Sequence, residues 1–146
     1  MMKKILAVED DATQRYVLKI VLESFALSFE FAASAEEALK IIFDQNQQFA
    51  LILMDVRLPG MNGLDCTRQI RVREENGGLK RHAIIAVTAY ASADDRQQCL
   101  QAGMDDYISK PYTLDAFKAV IDKHLDSTRC DEPKQNEPLQ PEQPAC

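Results

Sequence analysis

The chain holds 146 residues, 46% of them hydrophobic and 27% charged, a balance that suits one globular domain and excludes wholesale disorder. Its 17 Lys and Arg face 23 Asp and Glu, and the net charge of -6 opposes unaided binding to nucleic-acid phosphates. The longest apolar run, Phe49 to Met54, falls far short of the roughly 20 residues of a membrane-spanning helix.

Lys3 and Lys4 precede a short apolar stretch that stops at Glu9, Asp10 and Asp11, which is no signal peptide. The cytoplasm is the expected compartment. Cys66, Cys99, Cys130 and Cys146 are scattered without a C-x-x-C pair, so neither a disulfide scaffold nor a zinc site is expected.

Lys4 to Val8 reads as a first strand, followed by a helix carrying Val17, Leu18, Val21, Leu22 and Phe25 at helical spacing. The second strand, Ser28 to Ala32, leads to a helix with Ala35, Ala38, Leu39 and Ile42 on one face, opened by the capping pair Ser34 and Glu37. Ala50 to Met54 is the third strand, and its helix closes at Gly77 and Gly78. Ala83 to Val87 is the fourth, before a helix opened by Ser92 and Asp95 and closed by Gly103. Met104 to Ile108 is the fifth, and Leu114, Phe117, Ile121 and Leu125 mark the last helix.

Strand and helix thus alternate through residues 1–126, and several strands are continuous apolar runs. That pattern predicts an α/β domain: a doubly wound, five-stranded parallel sheet covered on both faces, a three-layer sandwich. Residues 127–146 carry Pro133, Pro138, Pro141 and Pro144 among Gln, Glu and Asn, so this tail is expected to be a disordered, solvated appendage.

Doubly wound sheets bind ligands outside the carboxyl ends of their strands. There the chain places Glu9, Asp10 and Asp11 after the first strand, Asp55 after the third, Thr88 after the fourth, and Lys110 with Pro111 after the fifth. If the first and third strands are neighbours, the Glu9, Asp10 and Asp55 carboxylates converge and need a cation or a proton, with a hard divalent ion the economical choice. Asp55 could also attack phosphorus as a nucleophile, with Lys110 and Thr88 binding phosphoryl oxygens. Each residue alone has a plainer reading: acids facing a helix dipole, a turn cap, a strand end, a solvated charge. Their shared rim favours the chemistry.

These residues resemble the receiver domain of two-component response regulators, in its chemotaxis-type single-domain form, over about Lys3 to Leu125. The resemblance is carried by I-L-A-V-E-D-D at 5 to 11, L-I-L-M-D-V-R-L-P-G-M-N-G at 51 to 63, I-I-A-V-T-A at 84 to 89 and G-M-D-D-Y-I-S-K-P at 103 to 111. It implies a flavodoxin-like sheet in the order 2-1-3-4-5 and Asp55 as phosphoacceptor. It further implies that Mg2+ or Mn2+ is held by Glu9, Asp10, Asp55 and the Arg57 backbone carbonyl, Glu9 acting mainly through water. Thr88 and Lys110 would hold the phosphoryl group, the peptide bond before Pro111 would be cis, and Tyr107 would be the switch aromatic that turns inward with Thr88. The surface of the fourth helix, fifth strand and fifth helix would then shift between two forms.

Glu9 stands where many receivers carry aspartate. Arg57 and Tyr90, each two residues past a site residue, match positions that the resemblance implies flank the phosphoryl group; either their bulk tunes phosphate lifetime by hindering water or both side chains lie in solvent. The implied protein is a stand-alone phosphorelay regulator and not an enzyme beyond its own phosphorylation and slow autodephosphorylation. Its donor would be a sensor histidine kinase or histidine phosphotransfer protein engaging the first helix near Ala12, Thr13 and Gln14, and its output an unknown protein target, with no nucleic acid or membrane involved. Three rivals share parts of the pattern, one of them a receiver that has lost phosphorylation and serves only as a docking module, which the complete set of Glu9, Asp10, Asp55, Thr88 and Lys110 opposes. A flavodoxin-type protein would need a hydroxyl- and glycine-rich loop where Glu9, Asp10 and Asp11 stand, and an aspartate phosphatase would need a second acid where Arg57 stands.

Overall fold

The computed structural model describes residues 4–45, 49–89 and 92–129. Strands β1 (Lys4–Val8), β2 (Ser28–Ala32), β3 (Leu51–Asp55), β4 (Ala83–Thr88) and β5 (Asp106–Ser109) alternate with helices α1 (Ala12–Ser24), α2 (Ala35–Leu39), α3 (Gly63–Gly77), α4 (Ala93–Ala102) and α5 (Leu114–Arg129). The sheet is parallel throughout, in the order β2-β1-β3-β4-β5.

The side-chain alternation of a strand divides the core in two. Leu6, Val8, Ile52, Met54, Ile84 and Ala86 face α2, α3 and α4, where Ala38, Cys66, Ile70 and Cys99 meet them. Ile5, Ala7, Leu51, Leu53, Ile85 and Val87 face α1 and α5, against Leu18, Leu22, Phe117 and Ile121. Covering both faces removes β1, β3 and β4 from water, which is why their sequences are nearly unbroken apolar runs.

Side-chain caps fix the helix starts by satisfying orphan backbone donors. Asp11 accepts from the Thr13 and Gln14 amides at 2.8 and 3.1 Å, and Asn62 from Asp65 at 2.9 Å. The two expected pairs form: Ser34 accepts from the Glu37 amide while Glu37 accepts from Ala33, and Ser92 with Asp95 closes a full capping box. Gly78 and Gly103, with φ of 62° and 109°, end α3 and α4 in the left-handed region that glycine tolerates.

Two strands differ by one residue from the sequence expectation, β3 running Leu51–Asp55 rather than Ala50–Met54 and β4 continuing to Thr88, and further details differ. The β5 ladder begins at Asp106 rather than Met104, because the Met104 amide is committed to the Cys99 carbonyl at the end of α4; Met104 is buried without belonging to the strand. After Leu39 the second helix widens into a π-helical turn, Lys40–Asp44. Finally, α5 continues to Arg129, past the Asp126 boundary expected for the domain; residues 130–146, the rest of the proposed tail, lie outside the described residues.

Candidate functional site

Register places the acids. Val8 pairs with Met54, so the residues that follow them, Glu9 and Asp55, leave adjacent strands on the same rim. Carboxylate oxygens of Glu9, Asp10 and Asp55 lie within 4.8 Å of one another. Glu9 is 1% and Asp55 7% exposed, while Asp10 faces solvent. Asp11 turns away to cap α1.

The β3–α3 loop sets Asp55 from behind. The Arg57 amide donates to Asp55 Oδ1 at 3.1 Å, and the Gly63 amide donates to Val56 O at 3.0 Å. A Cβ on Gly63 would stand 2.2 Å from the Asp55 carbonyl oxygen, so this close approach admits only glycine. On the other side, β5 delivers Lys110, whose Nζ lies 3.4 Å from Glu9 Oε1 and 3.9 Å from Asp55 Oδ2. The ammonium also donates to the Gln14 side-chain carbonyl at the start of α1. The Lys110 amide donates to the Thr88 carbonyl at 2.8 Å, which ties Thr88, 2% exposed, to the same corner. The Lys110–Pro111 peptide is cis, as the resemblance implied.

One ammonium does not balance three acids. Burial, reinforced by the hydrogen bond and charge of Asp55, pushes the Glu9 carboxyl up from 4.5 to about 7 despite Lys110. Hard oxygen donors, two of them buried and mutually repelling, are the donor set a small divalent cation fits. The cluster thus fits Mg2+ on its own chemistry.

The structure therefore gathers Glu9, Asp10, Asp55, Thr88, Lys110 and Pro111 around one corner, with the Arg57 amide behind Asp55. Tyr107 sits one strand away: it pairs with Ala86, is half-buried, and packs on the core cluster beneath α4. Tyr90 lies outside the described residues. The Gln14 contact with Lys110 was not anticipated, although its position three residues after the Asp11 cap points it along the rim. A groove of about 360 Å³ opens next to Lys110, walled by Gln14, Val17, Leu18, Val87 and Tyr112.

A parallel sheet in this order with an acidic cluster and a lysine at its carboxyl rim defines a phosphoacceptor class of signalling domain. Residues 5–122 match the family described as response regulator receiver domain, and the chain belongs to that family. It is 35% identical over 122 residues to hybrid signal transduction histidine kinase L of Dictyostelium discoideum, covering 83% of this chain and 7% of that protein. It is 32% identical over 118 residues to the sensor protein GacS of Pseudomonas syringae pv. syringae, covering 81% of this chain and 13% of that one. The chain thus spans only a small part of the curated relatives it matches.

Among solved structures, the receiver domain of a Pseudomonas aeruginosa sensor histidine kinase, with magnesium in its active-site cleft, superposes with a TM-score of 0.75 at 36% identity, covering 86% of this chain and 99% of that one. The receiver domain of the Saccharomyces cerevisiae response regulator Ssk1, co-crystallised with the histidine phosphotransfer protein Ypd1, gives 0.80 at 28% identity, over 89% and 94%. Among the described residues no helix is long and apolar enough to cross a membrane.

Proposed function

We propose that this receiver domain accepts a phosphoryl group on Asp55 from a phosphohistidine, and that the change at Asp55 is read on the surface of α4, β5 and α5 or passed on to a further histidine. The observation that carries this reading is the grouping of Glu9, Asp10 and Asp55 within 4.8 Å, with Lys110 Nζ 3.9 Å from the Asp55 carboxylate.

In the transfer an Asp55 carboxylate oxygen forms the new P–O bond while the P–N bond to the donor imidazole breaks. The electron pair of that bond stays with the imidazole nitrogen. Glu9, Asp10, Asp55 and the Arg57 carbonyl would hold Mg2+, which when bound offsets charge on the phosphoryl oxygens. Lys110 would move from its pairing with Glu9 and Gln14 to a phosphoryl oxygen, and the buried Thr88 hydroxyl would donate to another. Movement of Thr88 frees space beside Ala86, into which Tyr107 turns.

The donor's approach is supported by α1. Tyr16, Val17 and Ile20 are large, apolar and exposed, and they continue the surface begun at Ala12, Thr13 and Gln14 beside Lys110. A histidine phosphotransfer domain, such as the one joined to Ssk1, would bury that patch while presenting its histidine to Asp55.

The test is mass spectrometry of the protein incubated with acetyl phosphate and Mg2+. The expected result is a gain of one phosphoryl group that Asp55→Asn abolishes. An unchanged mass in the parent protein, or a gain that survives Asp55→Asn, defeats the reading.

A further inference from the structure

Tyr107 has a neighbour whose position the phosphoacceptor chemistry does not require. The Arg96 guanidinium carbon lies 4.7 Å from the centroid of the Tyr107 ring, inside the distance at which a cation is drawn to an aromatic face. Arg96 is exposed, whereas Tyr107 is half-buried on the core cluster beneath α4. The guanidinium therefore covers the side of the ring that the core leaves open.

The base of this contact is fixed. Arg96 lies in the first turn of α4, its amide donates to Ser92 O at 3.0 Å, and the Ser92–Asp95 capping box holds that turn in place. The same box engages Asp95, the acid next to Arg96, and no carboxylate among the described residues forms an ion pair with the Arg96 side chain. A planar, weakly hydrated guanidinium without an acid partner is well suited to stacking on a ring.

The far side of the ring has room of a different kind. Tyr107 pairs across the ladder with Ala86, and Thr88 follows two residues later on β4, on the same face of the sheet by strand alternation. Between the ring and the phosphoacceptor corner the sheet thus presents a small side chain and then the threonine. A turn of the ring toward Thr88 changes its stacking on Arg96.

We propose that Arg96 is a latch on the output surface: by stacking on Tyr107 it holds the ring in its half-buried position and opposes the inward turn that couples to a phosphoryl group on Asp55. This inference rests on the phosphoacceptor reading and deepens it by naming a residue that sets the gain of the switch. Among the described residues Arg96 has no ion pair or hydrogen bond with Glu9, Asp10, Asp55 or Lys110, so its effect is assigned to the Tyr107 contact.

The test titrates the full chain, in Mg2+, with beryllofluoride as a phosphoryl mimic, in the parent, Arg96→Met and Arg96→Lys. Tyrosine rings are carbon-13 labelled, and the Tyr107 signal is assigned by its loss in Tyr107→Phe. An exposed cation–π contact corresponds to roughly a two- to five-fold bias between two positions. The expected result is that Arg96→Met shifts the Tyr107 ring signal before any ligand is added and lowers the beryllofluoride midpoint about two- to five-fold. Arg96→Lys should fall between, and Mg2+ affinity without fluoride should be the same in all three. A midpoint that is unchanged or raised in Arg96→Met overturns the latch, as does an unmoved Tyr107 signal. If the parent protein binds no beryllofluoride and takes no phosphoryl group from acetyl phosphate, the phosphoacceptor reading itself has failed, and the latch falls with it.

Discussion

At the opposite rim from Asp55, Arg71 joins four segments of chain. Its side chain is 14% exposed, and its guanidinium donates to Gly103 O at 2.9 Å, Glu74 Oε1 at 2.8 Å, His82 O at 2.7 Å and Asp105 Oδ2 at 2.9 Å. Those bonds tie α3 to the start of β4, the end of α4 and the approach to β5. Arg71→Met keeps most of the apolar stem and removes the charge and every donor. Taking one partner from a buried ion pair costs about 3 to 5 kcal/mol, because the other is left uncompensated. Here the acids keep part of their support: Glu74 still accepts from the His82 amide and Nδ1, and Asp105 from the Ile84 amide and Arg81. The lower end, about 3 kcal/mol, is therefore expected, or about 10 °C in Tm for a domain of this size. Urea unfolding should show a lowered midpoint with an unchanged slope. A loss below about 1 kcal/mol would mean that water replaces Arg71 without penalty, and the reasoning about burial at this rim would be wrong.

Acidity at the same rim gives a second expectation. Burial pushes the Glu74 carboxyl up, but hydrogen bonds from the His82 ring and amide and from Arg71 outweigh it and hold the group below its ordinary 4.5. The resulting stability is present above 4.5 and is lost as pH falls through the lower folded value, so the stability gap between the parent and Glu74→Gln should shrink on acidification. Glu9 has the opposite sign. Raised from 4.5 to about 7, it disfavours the metal-free fold increasingly as pH climbs between those values, by up to about 3 kcal/mol. Glu9→Gln should therefore raise the metal-free Tm at pH 8 and leave it little changed at pH 4. Added Mg2+ should raise the parent's Tm at pH 8 far more than that of Glu9→Gln, since binding to the folded state is read as stability. Gly63→Ala places a Cβ 2.2 Å from the Asp55 carbonyl oxygen and 2.9 Å from Val56 Cα, and neither backbone atom can yield without moving Asp55. It should cost at least about 1 to 3 kcal/mol and slow labelling by acetyl phosphate, and normal labelling would show that the loop tolerates displacement.

Much of this was written in local signals. The strands with two covered faces announce themselves as apolar runs, the caps at Ser34 and Ser92 lie at fixed spacing from Glu37 and Asp95, and the acids stand at or just past the strand ends. The π-helical turn at Lys40–Asp44 has no such signature, because one extra residue per turn leaves Ile41 and Ile42 as buried as an α-helix would. Nothing in the sequence marks Arg71, Glu74 and Asp105 as a buried network, because polarity alone does not tell an exposed residue from one whose partners arrive across the sheet. Nor does His82 carry a sequence signal; it is buried, with Nδ1 2.8 Å from Glu74. Arg96 gave no hint either, since its partner is Tyr107 on another element and nothing in the spacing of the two reports a contact.

The two buried glutamates show why those signals differ in meaning. Glu9 and Glu74 are 1% and 4% exposed, and burial acts on both in the same direction. Around Glu74 the fold supplies an arginine, a histidine and a backbone amide, so its charge is the favoured form. Around Glu9 burial acts together with a neighbouring carboxylate, Asp55, beyond what Lys110 offsets, so its charge is the costly form. A domain that needed only stability would compensate the Glu9 rim as it does the Glu74 rim. Compensated charge at one end of the strands and uncompensated charge at the other is the electrostatic asymmetry expected where a cation and a phosphoryl group are to be bound. On that argument Lys110→Met should push Glu9 further upward, and a measured Glu9 titration in that variant at or below the parent's would show that Lys110 does not face the acids in solution.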